Sequence, residues 1–254
     1  MLCETTLRLL PLPERMETLL LSFESFEAAC TMVDEIFKTS LLPVAVELLN
    51  GDIISTLEPL QKDFLPKDFI VAVGLEAFEE AVSRMNDEIL TIASDCKNKT
   101  NTVLSQEAHQ NFWLSLGDVQ TVLTGKFSGL ITLKLSYPVS EWKTIIPFAA
   151  DVLSSKKLNH TIQCHAGSGI CMIHLLLDKH ARQTAERANV AVNTLLERTS
   201  KANGNLIVMD APSETKSKLP IWGAPRDDVM IMTRIKKQLD PGNIMIPGRF
   251  VGKL

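Results

Sequence analysis

From Met16 onwards the chain switches between two hydrophobic rhythms, a period of two and a period near 3.6, and the switches mark its elements. Thr18 to Phe23 is an apolar run of strand length. Phe26, Ala29, Cys30, Val33, Ile36 and Phe37 then fall on one face of a helix. Pro43 to Leu49 reads as a second strand, closed by Asn50-Gly51, a strong turn dipeptide. A short helix around Ile53 to Leu60 comes next, followed by a strand from Phe69 to Val73. Leu75, Phe78, Val82, Met85, Ile89 and Ile92 step by three and four, which predicts an amphipathic helix. Gln106 to Val122, with His109, Phe112 and Trp113, reads as helical with weaker patterning.

The second half is more regular. Ile131, Leu133, Leu135 and Tyr137 alternate with Thr132, Lys134 and Ser136, a strand with one buried face. Ser140 stands where it can cap a helix whose inner side is Trp142, Ile145, Ile146, Ala149, Val152 and Leu153. Leu158 to His165 and Ile170 to Leu177 are strands joined by Ala-Gly-Ser-Gly. Ala181, Ala185, Ala188, Val192, Leu195 and Leu196 line a long helix, with Gly204 at its C-cap position and a last strand from Leu206 to Met209. The order β-α-β-β-α-β is the split βαβ or ferredoxin-like unit. The first half follows it more loosely. The predicted class is therefore α+β: two ferredoxin-like units, about 16–125 and 126–212, forming an antiparallel sheet covered by helices.

A final helix closes the pattern. Met232, Ile235 and Leu239 recur at helical spacing, and Arg234, Lys236 and Lys237 near the C-terminal end suit the helix dipole. Pro241 stops the helix at about Asp240. A docked tail follows, with Asn243 in a turn and then Ile246-Pro247-Gly248-Arg249. At the other end, Glu4 to Pro13 reads as a half-buried strand running into a proline-marked exit.

Composition narrows the class without naming it. Of 254 residues 45% are hydrophobic and 22% charged, the balance of a globular chain with a real core. A net charge of −4 with no basic run argues against a nucleic-acid partner. No apolar stretch approaches the ~20 residues that span a bilayer. Five cysteines, odd in number and without CxxC spacing, read as reduced thiols and point to the cytoplasm, as does the lack of a secretory pattern over Met1 to Pro13.

Candidate chemistry gathers in two places. In the hairpin from His165 to Met172, Asn159, Thr161, Gln163 and His165 share a polar strand face expected to meet water or a ligand. His160 and His174 read as core histidines. Pro220 to Arg226 is a rigid loop exposing Trp222, and Arg226 and Arg249 are the cations suited to an anion. There is no G-x-G-x-x-G, P-loop or nucleophile elbow, hence no nucleotide cradle of the chain's own.

Lys236-Lys237-Gln-Leu-Asp240-Pro241, then Ile246-Pro247-Gly248-Arg249, together with Thr5 to Pro13, resembles the FAD-linked oxidase family in its C-terminal domain. The likeness is nearest to the accessory FAD-binding type of subunit of bacterial glycolate oxidase. It implies a substrate or cap domain of an FAD-dependent 2-hydroxy-acid oxidoreductase, over residues 16–225. Residues 1–15 would be the end of a missing FAD-binding domain, and 226–254 a helix and tail directed towards the flavin. Trp222, Arg226, Asn243 and Arg249 would then lie near the cofactor, and His165 would be the catalytic candidate. The implied partner is an FAD-binding domain or flavoprotein subunit, with FAD in the full assembly and the isolated chain inactive.

Departures from the family pattern matter as much. Metal-dependent relatives carry His-Ala-Gly-Asp-Gly-Asn with a second histidine closing the hairpin. Here Ser168, Ile170 and Met172 replace the aspartate, asparagine and second histidine, and a thioether suits such a cation poorly. The Glu-His-Gly element of those relatives is replaced by Leu206-Ile-Val-Met-Asp-Ala-Pro, so no metal site is expected. Relatives usually have Asn where this chain has Ile246. Two further readings stay open: a non-catalytic assembly subunit gripping a flavoprotein through Trp222 and the tail, and a ferredoxin-like small-molecule or metal-binding module using His165.

Overall fold

The computed structural model describes residues 4–7, 9, 11–57, 64–127, 129–177, 182–224 and 227–253. In chain order the elements are β1 (Arg15–Phe23), α1 (Phe26–Lys38), β2 (Ala45–Asn50), α2 (Gly51–Ile54), β3 (Phe69–Ala77), α3 (Glu79–Asp95) and β4 (Thr100–Ser105). There follow α4 (Glu107–Gly117), α5 (Val119–Lys126), β5 (Gly129–Ser136), α6 (Trp142–Ser155) and β6 (Asn159–His165). The chain ends with β7 (Ile170–Leu177), α7 (Arg182–Lys201), β8 (Asn205–Asp210), α8 (Ser213–Lys216) and α9 (Val229–Leu239). Two compact units result: Met1–Glu47 with Asp68–Leu116, and Leu48–Lys67 with Gly117–Leu254.

In the first unit the strand order is β4-β1-β3-β2, the ferredoxin-like arrangement. β1 is central, antiparallel to β3 from Arg15↔Ala77 to Phe23↔Phe69 and to β4 from Glu17↔Ser105 to Ser22↔Thr100. Both of its faces are covered, and it is buried from Glu17 to Phe23. Ser25 accepts from the Ala28 N–H and starts α1, a cap worth about 1 kcal/mol. On one face of β1 the Glu17 carboxylate is buried and accepts hydrogen bonds from Arg15, Asn86 of α3 and Ser105.

On the opposite face Thr18 organises a small polar core. The Trp113 indole N–H of α4 donates to Thr18 Oγ1 at 2.8 Å, which leaves the hydroxyl proton for His109 Nδ1, also at 2.8 Å. His109 therefore carries its proton on Nε2 and donates it to Glu76 at 3.2 Å. Gly74, directly opposite Thr18, makes room for the indole: a Cβ there would lie 3.1 Å from the Trp113 ring.

The second unit repeats the arrangement as β6-β7-β5-β8. β5 is central, between β7 and β8. Ile131, Leu133, Leu135, Ile162, Cys164, Cys171, Ile173 and Leu175 are fully or almost fully buried. Gly204 follows α7, but the left-handed residue is Asn203 (φ 57°). What Gly204 supplies is close approach, since a Cβ would sit 2.4 Å from the Ser136 carbonyl oxygen.

Several expectations need correction. Between residues 4 and 13 the described positions form no strand, and Leu7, Leu9 and Leu12 are exposed; Arg8 and Leu10 lie outside the described residues. Asn50-Gly51 is a strand-to-helix junction rather than a hairpin turn. The Asn50 amide accepts from Ile162 N–H and donates to the His160 carbonyl, while Gly51 begins α2 against the Leu65 carbonyl. β3 runs on to Ala77, so Leu75 is a strand residue and Phe78 an exposed N-cap. Residues 106–122 are broken by Asp118 into two helices. Ser140 does not cap α6; it lies in a 3₁₀ turn, Val139–Glu141, and Glu141 precedes the helix. β4 has no counterpart in the hydrophobic pattern because it is an edge strand with exposed or half-exposed residues throughout. Ala181 and residues 58–63 lie outside the described set.

The Glu17 site has a pH consequence. Burial alone would raise its carboxyl pKa, but hydrogen bonds from Arg15, Asn86 and Ser105 and the charge of Arg15 outweigh burial and hold it below the ordinary 4.5. A depressed folded pKa means stability that is fully present above the unfolded value and is lost as pH falls towards the folded one. The melting temperature is expected to hold from about pH 8 down to about 5.5 and to fall below about 4.5. Glu17→Gln should cost about 2 kcal/mol at neutral pH and flatten that acid limb, as read by thermal denaturation across pH.

Candidate functional site

The sheet register of the second unit lines up the hairpin and the Trp222 loop. His165 ends β6 opposite Ile170 of β7, Ile170 faces Ser136 of β5, and Ser136 faces Asn205 of β8. Directly paired residues point to the same side of a sheet, so this row lies on one face. Asn205 then donates to the Trp222 carbonyl at 3.5 Å. A second row, two residues inward on each strand, holds Gln163, Met172, Lys134 and Ile207. A third is Thr161, His174, Thr132 and, on β8, Asp210.

The rows differ in exposure. His165, Ile170, Ser136 and Asn205 are half-buried, as are Met172, Lys134 and Ile207. Gln163 is buried, and Thr161, His174 and Thr132 are sealed. The polar face of β6 is thus closed at Thr161 and Gln163 and open at its two ends, exposed Asn159 and half-buried His165, so the expected contact with water or a ligand is limited to the ends. His174 faces Thr132 Oγ1 at 3.2 Å, and burial pushes its pKa down to about 4, so it is a neutral core histidine as expected. His160 is half-buried with Nδ1 on the Leu158 carbonyl.

The hairpin itself is held by Gly169. Its φ is 64°, its carbonyl accepts from Tyr137 N–H at 2.8 Å, and a Cβ would lie 2.0 Å from the Tyr137 carbonyl oxygen. Only glycine satisfies both demands.

The second cluster is the C-terminal segment. The Trp222 indole donates to the Arg249 carbonyl at 3.3 Å, and its ring meets Phe250 edge-on with centroids 5.4 Å apart. Sequence reasoning named Trp222 and Arg249 separately; the structure brings them together. Arg226 lies outside the described residues. Asn243 has φ 50° and turns the chain after α9, its N–H on the Asp240 carbonyl.

Asp240 is the residue whose role went unread beyond its position as a helix stop. Its carboxylate accepts from the Ile244 and Met245 N–H groups at 3.0 and 3.1 Å and from Lys236 Nζ at 2.7 Å. Lys236 also reaches the Met245 carbonyl. The lysine bond first, and the two amide bonds with it, hold the Asp240 carboxyl below its ordinary range although burial opposes them. One side chain therefore fixes the angle at which the tail leaves the helix. The tail is fastened but not covered: Ile235, Leu239, Ile244, Met245, Ile246 and Phe250 are all exposed. A groove of about 610 Å³ runs between α9 and the tail, lined by Met232, Ile235, Lys236, Met245, Ile246, Arg249 and Phe250.

Ile246 sits in that groove at φ 44°. A β-branched side chain in the left-handed region is strained, whereas asparagine tolerates it. The family's preference for Asn at this position thereby gains a physical reason. Among the described residues no group of three His, Cys, Asp or Glu side chains is placed to share a metal ion.

Ile246→Asn is expected to relieve about 1 kcal/mol of backbone strain and slow amide exchange of the tail about fivefold. Asp240→Ala should instead speed exchange at Ile244 and Met245. Hydrogen exchange resolved to residues 240–250 reads both, and unchanged rates in either variant would contradict the corresponding role.

Comparison with known proteins is consistent with this geometry. The family model described as FAD linked oxidases, C-terminal domain, matches residues 12–250. The chain is 23% identical over 261 residues to the glycolate oxidase subunit GlcD of Bacillus subtilis (strain 168), covering 98% of this chain and 54% of that protein. Among solved structures it is similar to 4-ethylphenol oxidase from Gulosibacter chungangensis in its isoeugenol complex (TM-score 0.64, 12% identity, 94% of this chain and 54% of that one). It is similar also to p-cresol methylhydroxylase with substrate bound (TM-score 0.65, 16% identity, 93% and 53%). The chain spans about half the length of these relatives. A match over nearly every residue from Leu12 to Phe250 decides the assignment: the chain belongs to the FAD linked oxidases, as a C-terminal domain of that family.

Proposed function

We propose that this chain is the substrate-side domain of an FAD-dependent oxidoreductase acting on a small 2-hydroxy acid of the glycolate or lactate type. It works in the cytoplasm with a flavin-binding domain or subunit that these residues do not form. The observation that carries the reading is the groove between α9 and the tail. It exposes apolar side chains beside Arg249 and is held at a set angle by Asp240, as the face of a domain that meets a partner would be. The family match and the likeness to GlcD support flavin as the cofactor.

The residues present suit the edge of a flavin site rather than a cradle. The Trp222 N–H is already given to the Arg249 carbonyl and Lys236 to Asp240, so among the described residues the Arg249 guanidinium is the cation left facing the groove. Trp222, Arg249 and the Asn243 turn would border the bound cofactor and hold its anionic or ring edge; Arg226 comes four positions after Trp222 in the sequence. FAD, when bound, supplies hydride acceptance at the substrate's α-carbon. His165, at the hairpin end of the sheet face, is the group assigned to take the hydroxyl proton. No metal enters this scheme, since Met172 stands where a second histidine would be needed.

Mixing the purified chain with a flavin-loaded partner lacking this domain tests the proposal. Adding glycolate or D-lactate should bleach the flavin absorbance only when the chain is present. Trp222→Ala together with Arg249→Ala should lower that rate at least about tenfold. Bleaching that is the same without the chain, or absent for every 2-hydroxy acid tried, would contradict it.

A further inference from the structure

The half-open rows of the second unit's sheet contain one cation that nothing above uses. Lys134 lies on β5, paired directly with Met172 of β7 on one side and Ile207 of β8 on the other. It is half-buried. Among the described residues it has neither an ion pair nor a side-chain hydrogen bond, whereas half-buried Lys236 is paired with Asp240; half-buried Lys156 is also without an ion pair but lies at the end of α6, away from these rows. A primary ammonium set between a thioether and an isoleucine loses part of its hydration and receives nothing in return from the chain. A small anion that reaches it replaces that lost hydration in a setting of reduced dielectric.

The geometry of the same face says which anion. Gln163 and His165 stand two strands away from Lys134, about 10 Å backbone to backbone, with only Met172 and Ile170 between them. Long side chains on both sides shorten that gap to the span of a two- or three-carbon acid. The third row is sealed and neutral at Thr161, His174 and Thr132; on β8 it ends at the half-buried Asp210, whose carboxylate accepts from the Ala211 N–H. Apolar neighbours, one ammonium at one end and hydrogen-bonding groups at the other are the pattern of a site for a short carboxylate carrying a second polar group.

We propose that Lys134 is the anchor for the substrate carboxylate, holding a short hydroxy acid on this face so that its hydroxyl end lies towards Gln163 and His165. This deepens the functional reading above and rests on it for the identity of the acid. Lysine suits the task as a point charge on a flexible stem, since the anion has no fixed bidentate partner here. Lys134 is a binding residue, and no proton or hydride passes through it.

The test is a binding titration of the full chain with sodium D-lactate, sodium propionate and inorganic phosphate, followed by NMR shifts of the β5 and β7 amides. Lys134→Met should weaken D-lactate binding at least tenfold, and Lys134→Arg should stay within about threefold of the parent, with unchanged melting temperature in both. Retention of parent affinity by Lys134→Met overturns the anchor, and so does the absence of saturable carboxylate binding by the parent chain. Tighter binding of phosphate than of D-lactate, with the same Lys134 dependence, also overturns it by assigning the lysine to a phosphate group. Propionate separates this result from the functional reading, because it carries the carboxylate and no hydroxyl. Lys134-dependent binding of propionate sustains the anchor even if no 2-hydroxy acid reduces the flavin. Flavin reduction with unaltered KM in Lys134→Met sustains the function and sinks the anchor.

Discussion

Each unit depends on the pairing of its first strand with both its third and its fourth. β1 between β3 and β4, and β5 between β7 and β8, are the central strands of their units; β1 is buried on both faces, and β5 is buried along Ile131, Leu133 and Leu135 while Lys134 and Ser136 on its other face are half-buried. That pairing fixes which side every other strand residue takes, because a shift of one residue would exchange the two faces. The rows that bring His165, Lys134 and Asn205 onto one surface are therefore a result of core packing. The site is set out by the same hydrophobic alternation that holds the fold.

What the sequence made legible follows from the same logic. Elements whose apolar positions repeat, such as Phe26 to Ile36 in α1 and Ile131 to Leu135 in β5, could be read directly, and so could the split βαβ order of the second half, while the first half followed it only loosely. β4 escaped because Thr100 to Ser105 contributes main-chain pairing at an edge and almost no buried side chain. Asn50-Gly51 misled because the same two residues serve a turn or a junction. The deciding contacts, with Ile162 and Leu65, are distant in sequence or depend on the fold around them.

The site was legible in part for similar reasons. Trp222 and Arg249 stand out by residue type, but their contact joins positions 27 apart and no local pattern reports it. Asp240 looked like a helix stop, and its hold on Ile244 and Met245 needed the turn geometry. Lys134 looked like the solvent side of a strand; only the register with Met172 places it beside the hairpin. Ile246 was visible as a departure from the family, and its φ of 44° turns that departure into backbone strain.

The strand order has a consequence for how the chain is made. The central strand of each unit is synthesised first, yet one of its two partners is synthesised last: β1 waits for β4, and β5 waits for β8. Until Asp210 has left the ribosome, β5 presents an unpaired apolar edge. Contacts so distant in sequence slow folding and lengthen the time for which such an edge can meet another chain. The short β4, six residues long, covers the edge of β1 in the first unit, and a short edge strand offers little length for further strand addition. In the second unit that protection arrives some seventy residues after the strand that needs it.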